Sequence, residues 1–190
     1  MLNRVNKSIA LFLISMTLHL GAASADVASY RLTVDNTWSE DTHPGLFPED
    51  AHFSSLGGGT HTAAVSFWNE GVLATPGMIE MAEIGGTGLL GGEVNAAISA
   101  GTAGAALDWQ PWFCPAGTSN SNCGPLVVEF EIDSEFPLVT LVTMLGPSPD
   151  WFVGVSGLAL HDGNEWIDEK VVDLRPYDGG TRDRLSLIHI

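Results

Sequence analysis

Alternation of apolar and polar residues marks this chain as mostly β. Tyr30-Arg31-Leu32-Thr33-Val34 puts every second side chain on one apolar face, the two-residue period of a half-buried strand. Ala64–Trp68, Leu126–Ile132, Leu138–Leu145, Phe152–Leu160 and Trp166–Leu174 read as five further strands, with Asp162-Gly163-Asn164 as a turn between the last two. Six strands joined by Gly, Pro and Asn turns predict an all-β antiparallel sandwich. The period is lost between Met78 and Gly104, where Ala and Gly crowd the sequence. Met78, Ile79, Met81 and Ala82 predict one helical turn ending at Gly85, and Glu93–Ala100 a second short helix. Ala103–Gly124 reads as a long loop. Neither a repeat nor a linker divides the chain, so one domain is expected.

The ends read differently from the middle. Met1–Lys7 carries Arg4 and Lys7 and no acid, and Ile9–Leu20 is apolar but too short to span a bilayer. Ala23-Ser24-Ala25 follows as a small-residue cleavage site. Residues 1–25 are therefore read as a signal peptide cut after Ala25, which makes the mature chain secreted or periplasmic, with no membrane insertion. At the other end, Leu185-Ser186-Leu187-Ile188-His189-Ile190 is what one frame of a common sequencing-library adaptor encodes. Residues 185–190 are read as a non-native tail, leaving a domain over residues 26–184 and a natural chain that continues.

Charge narrows the partners. The chain has 23 Asp and Glu against 7 Lys and Arg, a formal charge of −16. Removing Arg4 and Lys7 with the leader gives −16 − 2 = −18. Such a surface repels nucleic acid and anionic membranes and attracts cations or basic partners. Cys114 and Cys123 close a polar loop, and an even count in an exported chain predicts one disulfide. A zinc pair is the weaker alternative, because the spacing exceeds that of the usual ligand hairpin.

Candidate chemistry lies in two acidic loops. In Pro147-Ser148-Pro149-Asp150-Trp151-Phe152-Val153-Gly154-Val155, two prolines stiffen the backbone and deliver Asp150 to the mouth of an aromatic-led strand. Tyr177-Asp178-Gly179-Gly180-Thr181-Arg182-Asp183 supplies a second carboxylate in a Gly-rich loop. Carboxylates facing one another across stiff loops suit a hard cation, and Gly179 and Gly180 let backbone carbonyls approach it. The alternative is that both aspartates satisfy turn amides. His43, His52 and His61 recur at nine-residue intervals beside Glu49 and Asp50 and invite a zinc hydrolase reading, but that spacing fits neither a helix nor a hairpin. Nucleophile and phosphate motifs fail. Gly154-Val155-Ser156-Gly157-Leu158 lacks the second glycine of a nucleophile elbow, and Gly57-Gly58-Gly59-Thr60 is followed by no lysine. Of six tryptophans, Trp38, Trp68, Trp151 and Trp166 are expected in the core. Trp109 and Trp112 either cap the core or contact a partner.

Taken together, these motifs resemble the spondin N-terminal (F-spondin) domain family, in a stand-alone bacterial-type form. The matching residues are Asn36-Thr37-Trp38-Ser39, His43-Pro44, Ala51-His52-Phe53-Ser54, Gly57-Gly58-Gly59-Thr60-His61, Phe67-Trp68-Asn69-Glu70-Gly71 and Met81-Ala82-Glu83-Ile84-Gly85. Pro147–Val155, Trp166 and Asp173–Thr181 complete the set. The resemblance implies a C2-domain-like β-sandwich with short helical insertions and one Ca2+ ion at the loops of one end. It implies Asp150 and Asp178 as ligands, with Glu131 as a third carboxylate. The family pattern often reads D-A-G-T-D. Here Gly179 replaces the Ala and Arg182 follows the Thr, so Asp183, a fourth candidate ligand, comes one place late. The implied function is a non-catalytic recognition or adhesion module, monomeric, with an extracellular protein or glycan as ligand. The alternative is a secreted metal-dependent hydrolase using the acidic cluster or His43, His52 and His61.

Overall fold

The computed structural model describes residues 26–34, 37–45, 47–110, 112–114, 126–182 and 188. The predicted leader, Cys123, Asp183 and all of the predicted tail but Ile188 lie outside the described residues. In chain order the elements are β1 (Val27–Val34), β2 (His52–Phe53), β3 (Leu56–His61), α1 (Pro76–Ile84), α2 (Gly88–Ser99), β4 (Ala103–Trp109), β5 (Leu126–Asp133), β6 (Leu138–Gly146), β7 (Trp151–Ala159) and β8 (Pro176–Asp178). β1 and β5 form a two-stranded antiparallel sheet, with Tyr30 opposite Phe130. The larger sheet runs β4-β3-β6-β7-β8, all antiparallel, with β2 paired to the end of β6.

Two apolar clusters explain this arrangement. Phe53, Leu56, Leu126, Ile132, Val139, Leu141, Val153 and Leu160 fill the space between the sheets. Met78, Met81, Leu90, Val94, Val142 and Phe152 fill the space between the helices and the other face of the large sheet. β6 is covered on both sides. Val139 and Leu141 face one cluster while Val142 and Met144 face the other, so apolar residues fall on both faces, interrupted by Thr140 and Thr143, which are buried and hydrogen-bonded to His61 and Ser54. The all-β sandwich expectation holds, with α1 and α2 as insertions that cover the large sheet.

Several expected elements differ. Ala64–Trp68 forms turns instead of a strand, although Phe67 and Trp68 are buried as its apolar content suggests. Trp166–Leu174 is not a strand either. It keeps a single bridge, His161 to Trp166, and Val171 is 81% exposed. The large sheet takes its extra strands from stretches without alternation. β3 is Leu-Gly-Gly-Gly-Thr-His, and β4 replaces the start of the expected loop. Both helices are longer than expected. Thr75 caps α1 by accepting from the Met78 amide, Pro76 opens it, and Gly85 in the left-handed region closes it. The Glu93 carboxylate of α2 accepts from the Gly77 amide at 2.7 Å and from the Thr75 hydroxyl at 2.7 Å, tying the two helices together. Ile188 is fully buried and exchanges backbone bonds with Gly71 and Val72.

Tyr30 pins the irregular segment after β7 to the small sheet. Its hydroxyl lies 2.6 Å from the Ile167 carbonyl and 3.1 Å from that of Leu160. Burial, helped by the nearby Asp168 charge, pushes the phenol pKa above its usual 10.0. The neutral form is thus the one folding favours. This contribution is fully present below the unfolded pKa and is lost as pH rises through the higher folded value. Tyr30→Phe is expected to lower stability by about 1 kcal/mol at neutral pH, and to remove part of the alkaline decline. Urea unfolding at neutral and alkaline pH measures both.

Candidate functional site

The turn from β6 to β7 is built around Ser148, whose hydroxyl accepts from the Trp151 amide at 2.9 Å. That turn places Asp150 immediately before β7. β8 pairs with the same end of β7, Trp151 opposite Asp178, so the second aspartate arrives beside the first. Aromatic packing holds this register. Phe152 stacks on its partner Tyr177 at 5.5 Å, and Trp68 meets both edge-on at 5.1 and 4.9 Å.

Asp150 is 2% exposed, and its carboxylate faces the loop after β8. Its Oδ2 accepts from the Thr181 amide (2.9 Å), the Thr181 hydroxyl (3.1 Å) and the Arg182 amide (3.2 Å). Its carbonyl accepts from the Gly179 amide at 2.9 Å. Asp178 Oδ1 accepts from the Gly180 amide at 2.8 Å, and Oδ2 from the Trp151 indole N–H at 3.2 Å. The two carboxylates therefore bind neighbouring peptides of one turn. A Cβ on Gly179 would lie 2.9 Å from the Asp150 carbonyl and 3.3 Å from Ala82, so the loop is pressed between the β6–β7 turn and α1.

The structure does not bring Glu131 to this pair. It lies on β5 with its side chain on the exposed face, beside Ala105–Trp109 of β4. β4 and β7 are separated by β3 and β6, three inter-strand steps or roughly 14 Å. Sequence distance from Asp150 carried no information about which sheet Glu131 would join. Nor do the histidines converge. His43 contacts the Thr42 hydroxyl at 2.9 Å in an exposed turn. His52 contacts the Asp50 carbonyl at 2.7 Å. His61 is buried between the Thr140 hydroxyl at 2.7 Å and the Thr62 carbonyl at 2.8 Å. Among the described residues, no three His, Cys, Asp or Glu side chains gather as a metal cluster.

The donor set of the Asp150–Asp178 pair is all oxygen, and two carboxylates with nearby backbone carbonyls fit calcium better than a softer metal. Sequence reading missed the residues that wire the pair together: Ser148, Thr181, Arg182 and Glu83. A serine three residues before Trp151, between two prolines, was the available signal for the first.

Aromatic side chains rim this end. Trp151 is 43% exposed, not in the core as expected. Trp112 is 45% exposed and stacks on His52 at 4.6 Å with rings 3° from parallel. His52 pairs with Gly146, so this stack borders the same turn. Trp68 is buried as expected, and Trp38, Trp109 and Trp166 are half-buried. No helix among the described residues is long and apolar enough to cross a membrane.

Comparison with known proteins agrees with these features. The family model Spondin_N matches residues 28–188. Spondin-2 of Homo sapiens is 35% identical over 158 residues, covering 82% of this chain and 46% of that protein. Spondin-1 of Bos taurus is 35% identical over 171 residues, covering 85% of this chain and 20% of that protein. Spondin-1 of Gallus gallus is 36% identical over 172 residues. The chain thus spans less than half the length of these relatives.

Proposed function

The chain belongs to the spondin N-terminal domain family, and on that footing we propose that it is a calcium-binding recognition or adhesion module that works outside the cytoplasm. Asp150 and Asp178 hold the ion, with backbone carbonyls and water completing its oxygen shell. Calcium supplies positive charge that cancels the repulsion between the two carboxylates and stiffens the loops at that end. Those loops present Trp151, beside the Trp112–His52 stack, to an extracellular protein or glycan. Aromatics on a stiffened surface suit such recognition, because they bring contact area at little cost in conformational entropy. The leader-directed export, the Cys114–Cys123 disulfide and a monomeric state belong to the same proposal.

The observation that carries this reading is the register of β7 and β8, which brings the Asp150 and Asp178 carboxylates together at one end of the large sheet. The hydrolase alternative has less support, since His43, His52 and His61 each have separate partners.

Asp178→Asn is the cleanest probe, because Asp150 also holds the loop together. Millimolar calcium is expected to raise the melting temperature of the parent by several degrees over chelator, as mass action requires for a ligand of the folded state. Asp178→Asn should lose most of that rise. A parent Tm indifferent to calcium and chelator would sink the proposal, and turnover of ester, peptide or glycan substrates would favour the hydrolase.

A further inference from the structure

The loop after β8 carries a positive charge of its own. The Arg182 amide donates to Asp150 Oδ2, and its Nε points at the Pro149 carbonyl at 3.5 Å. Its Nη2 lies 3.5 Å from Glu83 Oε2, in the last turn of α1. The guanidinium thus sits among a carboxylate, a turn carbonyl and the carbonyl end of a helix, where a cation is favoured. Both side-chain contacts are long, and the side chain is 57% exposed. This is a loose tie that the side chain leaves at little cost.

We propose that Arg182 is an internal counter-cation of the Asp150–Asp178 loops, which opposes calcium and sets how far the loops depend on it. The inference rests on the calcium reading above. Without calcium, the guanidinium offsets part of the repulsion between the carboxylates. When calcium binds the same loops, the two positive charges repel, and affinity falls. At a dielectric near that of water, one such charge against a divalent ion is worth roughly tenfold in affinity. Arg182 therefore exchanges calcium affinity for calcium-free stability. It is a positioning residue for the loops and not an ion ligand.

The test is calcium titration by calorimetry at low salt on the parent, Arg182→Gln and Arg182→Lys. Terbium luminescence gives an independent readout, because the Trp151 indole bonded to Asp178 is placed to sensitise an ion there. Arg182→Gln is expected to bind calcium roughly tenfold tighter, with the gap shrinking in high salt, and Arg182→Lys to stay near the parent. In chelator, Arg182→Gln should melt below the parent, and saturating calcium should close that difference. Equal affinities for the parent and Arg182→Gln overturn the role of Arg182 while leaving the calcium site standing. Equal tightening in Arg182→Lys overturns it too, since the charge is retained there. Failure of every protein to bind either ion removes the calcium reading, and this inference with it.

Discussion

Gly58→Ala is expected to keep the protein from folding, whereas Gly92→Ala should stabilise it. Gly58 lies in β3, an inner strand of the large sheet, paired to Leu107 of β4 on one side and Leu141 of β6 on the other. A Cβ there would sit far inside van der Waals contact with the Thr140 carbonyl oxygen, and 2.8 Å from its carbon. Backbone atoms of a strand held on both sides have nowhere to go, so β3 must part from β6 or the sheet must buckle. The expected loss exceeds about 4 kcal/mol, within reach of the whole stability of a domain. Gly92 lies inside α2 with nothing within 4 Å of its would-be Cβ. The same methyl group there removes unfolded-state freedom and improves helix propensity, for a gain of about 0.5–1 kcal/mol. Soluble yield and urea midpoints of the two variants measure this opposition. A folded Gly58→Ala protein with a near-parent midpoint would show that the sheet yields far more than its packing suggests.

The neighbouring glycines of β3 also explain what the sequence hid. Period-two alternation reveals a strand only where one face is apolar and the other polar. β1 and β5 have that character and were legible, and β6 and β7 were found from their length and apolar content. β3 has few side chains to alternate, because α2 lies directly on it. A Cβ at Gly59 would meet Val94 at 2.6 Å. The glycines that make room for the helix are the ones that erase the strand signal. At Ala64–Trp68 the reverse holds. Phe67 and Trp68 are apolar because they anchor a turn in the core, not because they belong to a strand. For the site, both loop aspartates were legible, since two prolines and two glycines fix their turns locally. The third carboxylate was not, since its position depends on which sheet β5 joins. The amides of Thr181 and Arg182 that face Asp150, and of Gly180 that faces Asp178, are the turn-amide bonds that the sequence offered as the alternative role of these aspartates.

Phe152→Ala should couple core and site in one measurement. Phe152 is fully buried, stacked on Tyr177 and crossed by Trp68. Truncation removes a large apolar side chain and leaves a cavity walled by two rings that cannot both collapse into it. The expected loss is about 3–5 kcal/mol. The consequence for the site follows from register. Only three residue pairs join β8 to β7, and Phe152 with Tyr177 is the middle one. Without that stack Tyr177 keeps its edge contact with Trp68 but loses the ring beneath it, and Asp178 is the next residue. The Gly179 and Gly180 amides, which bond to Asp150 and Asp178, should then exchange with solvent faster than in the parent. Phe152→Leu keeps most of the volume but not the stacked ring, so it should cost less stability. Hydrogen exchange at these amides, read beside global urea unfolding, separates the two effects. If Phe152→Ala loses several kcal/mol while the loop amides stay as protected, relative to global stability, as in the parent, the aromatic stack supports the fold without positioning the aspartates.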